Sequence, residues 1–121
     1  MKKKILYVDD EKINLLLFEN NFKKFYTVLV AKDGFEGLKV LDENTDTLII
    51  ISDMRMPGMT GIEFITKAKA KYPDKKFYIL TGFEITQQIR EALDTGLILE
   101  YFKKPFEIKK IHAKIAEALN N

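Results

Sequence analysis

The sequence predicts an α/β fold, an open doubly wound parallel sheet of five strands with helices on both faces. Three observations carry this reading. Five short apolar runs, rich in β-branched and aromatic residues, recur along the 121 residues at 5–8, 26–31, 48–52, 77–81 and 98–102. Segments of helical length and period separate them. Residues 5–8 and 48–51 are apolar without alternation, as in strands buried on both faces. Regular alternation of β and α units implies right-handed crossovers and parallel pairing. An eight-fold barrel would need about twice this length.

Each element has its own signal. After the first run, Ile13, Leu16, Leu17 and Phe22 fall on one side of a predicted helix. Phe35, Leu38 and Leu41 repeat at spacing three after the second run, and Ile62, Ile65 and Ala68 do so after the third. That third helix should end near Tyr72-Pro73-Asp74, because proline cannot continue it. Ile85, Ile89, Ala92 and Leu93 mark a fourth helix, closed by Asp94-Thr95-Gly96. Ile108, Ile111, Ile115 and Leu119 mark a fifth. No linker or repeat interrupts the series, so residues 1–121 read as one domain with no room for a second, output domain.

Composition excludes several classes of function. With no cysteine there is no disulfide framework, thiolate metal site or cysteine nucleophile. Twenty Lys+Arg against eighteen Asp+Glu give a net charge of +2, too small to imply nucleic-acid binding. Lys2, Lys3 and Lys4 read as solubilising flanks of the first strand. The apolar run that follows them stops at Asp9-Asp10-Glu11, too short for a signal peptide or a membrane span, so a cytoplasmic protein is expected. Neither a G-x-G-x-x-G nor a G-x-x-x-x-G-K-[ST] loop is present. Lys109, Lys110 and Lys114 share the fifth helix with isoleucines that must pack on the sheet, which argues against a DNA-reading helix; His112 reads as a surface residue.

In open α/β sheets, ligands bind beyond the carboxyl ends of the strands. Those ends carry Asp9 and Asp10 (first), Asp53 (third), Thr81-Gly82 (fourth) and Lys103-Lys104-Pro105 (fifth). Taken singly, an Asp-Asp-Glu run is as readily a helix N-cap as a site. Their joint placement favours a site. Carboxylates on neighbouring strands about 5 Å apart repel by roughly 3 kcal/mol per pair at an effective dielectric near 20. Such a cluster must bind a proton or a cation. Carboxylates without imidazole or thiolate partners favour a hard ion, with Mg²⁺ the natural candidate.

These residues, with Ser52-Asp53-Met54-Arg55-Met56-Pro57-Gly58-Met59-Thr60-Gly61 and Lys104-Pro105-Phe106, resemble the receiver domain of bacterial two-component response regulators over essentially the whole chain. The resemblance implies a flavodoxin-like (βα)5 fold with strand order 2-1-3-4-5. It implies that Asp53 accepts a phosphoryl group from a sensor histidine kinase or histidine phosphotransfer protein. Asp9, Asp10, Asp53 and the backbone carbonyl of Arg55 would hold Mg²⁺. Lys104 would pair with a phosphoryl oxygen, or with Asp53 before phosphorylation, across a cis Lys104-Pro105 bond. Thr81 and Tyr101 would couple the site to a partner surface formed by α4, β5 and α5, read by an effector protein or output domain, with a phosphorylation-dependent homodimer allowed. The resemblance implies that the positions of Arg55 and Phe83, which vary in the family, tune loss of the phosphoryl group. A bulky Phe83 would shield it from water, and Arg55 would either reach the phosphate as a second cation or point to solvent.

Two rivals are weaker. An aspartyl-phosphate phosphohydrolase of the haloacid dehalogenase type needs a second Asp two residues after the nucleophile, where this chain has Arg55. A phosphorylation-independent interaction module has no use for the intact acidic, Thr and Lys set. A turnover enzyme on a small molecule is therefore not expected.

Overall fold

The computed structural model describes residues 2–82 and 84–120. Five strands, β1 (Lys4–Val8), β2 (Thr27–Ala31), β3 (Ile49–Asp53), β4 (Lys76–Thr81) and β5 (Glu100–Lys103), alternate with five helices. The helices are α1 (Lys12–Phe22), α2 (Gly34–Glu43), α3 (Gly61–Lys71), α4 (Gln87–Asp94) and α5 (Ile108–Asn120). All pairings are parallel, in the order β2-β1-β3-β4-β5, as expected. The chain reverses its direction of winding after β2, so β1 and β3 lie side by side at the centre.

Strand alternation sorts the apolar residues into two layers. Leu6, Val8, Ile50, Phe77 and Ile79 pack with α2, α3 and α4. Ile5, Tyr7, Ile49, Ile51, Tyr78, Leu80 and Phe102 pack with α1 and α5. β1 and β3, apolar on both faces, are almost entirely buried, which is why their sequences show no alternation. No described helix is long and apolar enough to cross a membrane.

Two helix faces differ from expectation. Ile13, Leu16 and Leu17 of α1 are exposed (59%, 46% and 46%), while Phe18 and Phe22 are fully buried, with Leu15 packed beside them. Phe18 stacks on Tyr7 with ring centroids 4.3 Å apart and packs at a tilt against Phe22 at 4.5 Å. Burying two aromatic rings outweighs burying three aliphatic chains on the opposite side, and sets the rotation of the helix. On α2, Leu38 and Leu41 pack as expected, but Phe35 is 60% exposed and the packed face is completed by Gly34 and Gly37. A Cβ on Gly34 would lie 2.6 Å from Met59 Sδ, and one on Gly37 would lie 2.8 Å from Phe64 Cε1. Close approach to α3 selects glycine there, and a hydrophobic period cannot register it.

Smaller differences are local. Ile85 precedes α4, whose N-cap is Thr86, the hydroxyl accepting from Ile89 N–H at 3.2 Å. Ile98 is buried but lies before β5, which begins at Glu100. His112 is half-buried, its ring 4.3 Å from that of Phe25 and its Nδ1 3.1 Å from the Tyr26 hydroxyl.

The rotation of α1 is testable by urea unfolding. Phe18→Ala is expected to cost about 3–5 kcal/mol through cavity formation. Leu16→Ser should stay within about 0.5 kcal/mol of the parent. Similar losses for the two variants would contradict the assigned face.

Candidate functional site

Adjacent strands bring the acidic residues together. Val8 of β1 is in register with Ser52 of β3, so Asp9 and Asp53, each one residue further on, stand side by side. Both have the parity of Tyr7 and Ile51, the α1/α5 face. Asp10 follows Asp9 into the turn and is exposed. Each of Asp9, Asp10 and Asp53 offers a carboxylate oxygen within 4.8 Å of the others. With three carboxylate donors and no imidazole or sulfur, the set fits a hard cation such as Mg²⁺.

The three charges are accommodated in different ways. Asp9 is fully buried and held by four donors. Its Oδ2 accepts from the Tyr7 hydroxyl at 2.5 Å, Lys104 Nζ at 2.9 Å and Asn14 Nδ2 at 3.1 Å. Its Oδ1 accepts from the Glu11 backbone N–H at 3.0 Å. Asp53, also buried, accepts from Met54 N–H at 2.9 Å and lies 3.4 Å from Lys104 Nζ, both at Oδ1. Burial, reinforced by the Asp9 charge, raises its carboxyl to about 6 against the pull of Lys104. Asp10 stays in water.

Lys104 stands between two carboxylates, closer to Asp9 than to Asp53, where sequence reasoning emphasised Asp53. Burial alone would lower its ammonium, but the hydrogen bond to Asp9 and the charges of Asp53 and Asp9 hold it above the ordinary lysine range. Its N–H donates to the Thr81 carbonyl at 2.9 Å, and its stem passes 3.8 Å from where a Cβ on Gly82 would be. The Lys104-Pro105 bond is cis, as expected. Lys103, in register with Thr81, is exposed, so alternation selects Lys104.

Thr81 ends β4, nearly fully buried. Tyr101 pairs with Ile79, two residues before Thr81, and is half-buried against the α2–α4 layer. Arg55 is exposed in the turn after β3. Phe83 lies outside the described residues.

Three contributors escaped sequence reasoning. Tyr7 sits two residues before Asp9 on the same strand face, a period-2 relation that was available as a signal. Asn14 reaches back from the first turn of α1. Gly61 opens α3 against the end of β3: a Cβ there would fall 2.2 Å from the Asp53 carbonyl oxygen. The Thr60 hydroxyl accepts from Glu63 N–H while the Glu63 carboxylate accepts from Thr60 N–H, a reciprocal cap that fixes where α3 begins.

Comparison with known proteins places this arrangement in context. Residues 5–116 match the family described as the response regulator receiver domain. The chain is 32% identical over 120 residues to sporulation initiation phosphotransferase F of Bacillus subtilis, covering 98% of this chain and 95% of that protein. It is 30% identical over 118 residues to a cyclic di-GMP phosphodiesterase of Thermotoga maritima; 97% of the chain is covered there, but only 31% of the relative's length. A solved response regulator receiver domain from Clostridium thermocellum superimposes with a TM-score of 0.90 at 30% identity, covering 97% of this chain and 94% of that one.

The raised Asp53 carboxyl makes a stability prediction. Below about pH 4 both folded and unfolded chains hold this proton. Between about pH 4 and 6 the folded chain keeps it while the unfolded chain releases it, so this group's contribution to stability falls as pH rises through that window. Above it the penalty reaches roughly 3 kcal/mol. In chelator-treated buffer, Asp53→Asn should therefore gain stability over the parent progressively from pH 4 to pH 7. Denaturant midpoints that differ equally at both ends would contradict the assignment.

Proposed function

This chain belongs to the response regulator receiver domain family of phosphorylatable signalling switches, and we propose that Asp53 is its phosphoacceptor. The observation that supports this most strongly is the convergence of Asp9, Asp10 and Asp53 with Lys104 at the carboxyl ends of β1, β3 and β5.

An Asp53 carboxylate oxygen attacks the phosphorus of a phosphohistidine on a sensor kinase or phosphotransfer protein. The oxygen–phosphorus bond forms as the nitrogen–phosphorus bond breaks, and the imidazole nitrogen leaves with the electron pair. Phosphoryl transfer of this kind is loose, so positioning and charge neutralisation carry the catalysis. Asp9, Asp10, Asp53 and the Arg55 carbonyl would hold Mg²⁺, which supplies neutralising charge to the carboxylates and incoming oxygens. Lys104 is already charged and aimed at the acceptor, so it pairs with a phosphoryl oxygen at little cost in ordering. The Thr81 hydroxyl donates to another oxygen. Movement of Thr81 toward the phosphoryl group frees space beside Ile79 that Tyr101 fills, shifting a pre-existing equilibrium at the α4-β5-α5 surface.

The same arrangement argues against repeated turnover on a small molecule. Arg55 stands where an aspartyl-phosphate phosphohydrolase needs a second carboxylate, leaving no acid to activate water there. Partners in this reading are a cytoplasmic kinase or phosphotransfer protein, an effector or output domain, and in the phosphorylated state a second copy of the chain.

Incubation with Mg²⁺ and acetyl phosphate, followed by intact mass measurement, tests the proposal. One added phosphoryl group is expected, abolished in Asp53→Asn and slowed at least tenfold in Lys104→Ala. Undiminished labelling of Asp53→Asn would overturn it.

A further inference from the structure

Asp9 accepts four hydrogen bonds, and two of its donors, Tyr7 and Asn14, take no part in the phosphotransfer steps. Tyr7 is fully buried, yet its hydroxyl does not lie in a merely apolar environment: it points from near the carboxyl end of β1 along the strand face to Asp9 Oδ2 at 2.5 Å. The ring is clamped by Phe18, stacked at 4.3 Å, and by Phe106, edge-on at 6.1 Å. Phe106 lies two residues beyond Lys104, so one aromatic cluster supports both the Asp9 and the Lys104 sides of the site. Asn14 approaches the same oxygen from α1 at 3.1 Å.

The two oxygens of Asp9 are therefore unequal. Oδ2 receives three donors and is saturated; Oδ1 receives one, the Glu11 N–H. A carboxylate oxygen with a single donor keeps acceptor capacity, and one with three does not. We propose that Tyr7 and Asn14 are positioning residues that lock the plane of the Asp9 carboxylate, dedicating one oxygen to Lys104 and keeping the other available to the cation. Without the lock, the carboxylate is free to turn toward Lys104 with both oxygens, and cation binding must first reorient it. Partners that orient a ligating carboxylate in this way typically contribute 10–100-fold to metal affinity.

The inference rests on the cation reading of the Asp9, Asp10 and Asp53 cluster, and one experiment separates the two. Mg²⁺ is titrated into the full chain by calorimetry for the parent, Tyr7→Phe and Asn14→Ala. Tyr7→Phe keeps the ring stack and removes only the hydroxyl; Asn14→Ala changes a half-buried helix position and leaves the core intact. Each variant is expected to bind Mg²⁺ about tenfold more weakly. Phe18→Leu, which loosens the same cluster without touching Asp9, should lower the melting temperature but leave Mg²⁺ affinity within twofold. In acetyl phosphate labelling, the Mg²⁺ concentration for half-maximal rate should rise about tenfold in Tyr7→Phe while the rate at saturating Mg²⁺ stays within twofold. Parent binding with both variants within twofold of it would overturn the positioning role alone. Absence of Mg²⁺ binding by the parent would overturn the cation reading on which it rests.

Discussion

Like charges forced together at the ends of two neighbouring central strands set the terms for the rest of this structure. Parallel pairing of β1 with β3 leaves Asp9 beside Asp53, and the turn into α1 adds Asp10. At a separation of about 5 Å the buried Asp9–Asp53 pair would repel by roughly 3 kcal/mol at an effective dielectric near 20 if both were charged and Lys104 were absent. Each carboxylate is accommodated in its own way. Asp9 is buried within a shell of four hydrogen-bond donors, Asp53 is buried with its proton held more tightly, and Asp10 remains solvated. Lys104 bridges the two buried members. A site built this way gains from any ligand that delivers positive charge, and then from an anionic group that Lys104 can follow.

The surrounding fold keeps the charges from relaxing apart. β1 and β3 are fixed by apolar layers on both faces, so the strand ends cannot splay without exposing core. Gly61 brings the start of α3 against the Asp53 carbonyl, and the cap at Thr60 holds it there. The Tyr7, Phe18 and Phe106 cluster ties β1, α1 and the segment after β5 to one another beneath Asp9. Thr81 and Tyr101, on the other face of the sheet, link the site to β5 through the register of Ile79 with Tyr101 and Thr81 with Lys103.

Much of this was legible in the sequence, for identifiable reasons. The central strands announce themselves because a strand buried on both faces has no polar alternation. Asp9, Asp10, Asp53, Thr81 and Lys104 stand out because each lies at or just beyond the carboxyl end of a strand, and strand ends converge. Lys104 was separable from Lys103 by the following proline and by strand parity. What failed was the rotation of helices. In α1, Ile13, Leu16 and Leu17 form a plausible apolar face, but stacking of Phe18 on Tyr7, with Phe22 packed against Phe18, decides which side is buried. In α2 the packed face is partly glycine, which no hydrophobic pattern reveals. Tyr7 and Asn14 were missed because a tyrosine in an apolar strand reads as core, and an asparagine in a helix start reads as solvent. Only the three-dimensional meeting at Asp9 gives their polar atoms a purpose.

Burial, reinforced by the neighbouring Asp9 charge, holds the Asp53 carboxyl above the ordinary range until a cation arrives. Carbon-13 NMR of the aspartate carboxyl carbons, titrated with pH in metal-free buffer and again with saturating Mg²⁺, measures this directly. An Asp53 midpoint of about 6 is expected without metal, falling to about 5 or below when Mg²⁺ is added. An Asp53 midpoint near the ordinary value of about 4 in both conditions would contradict it.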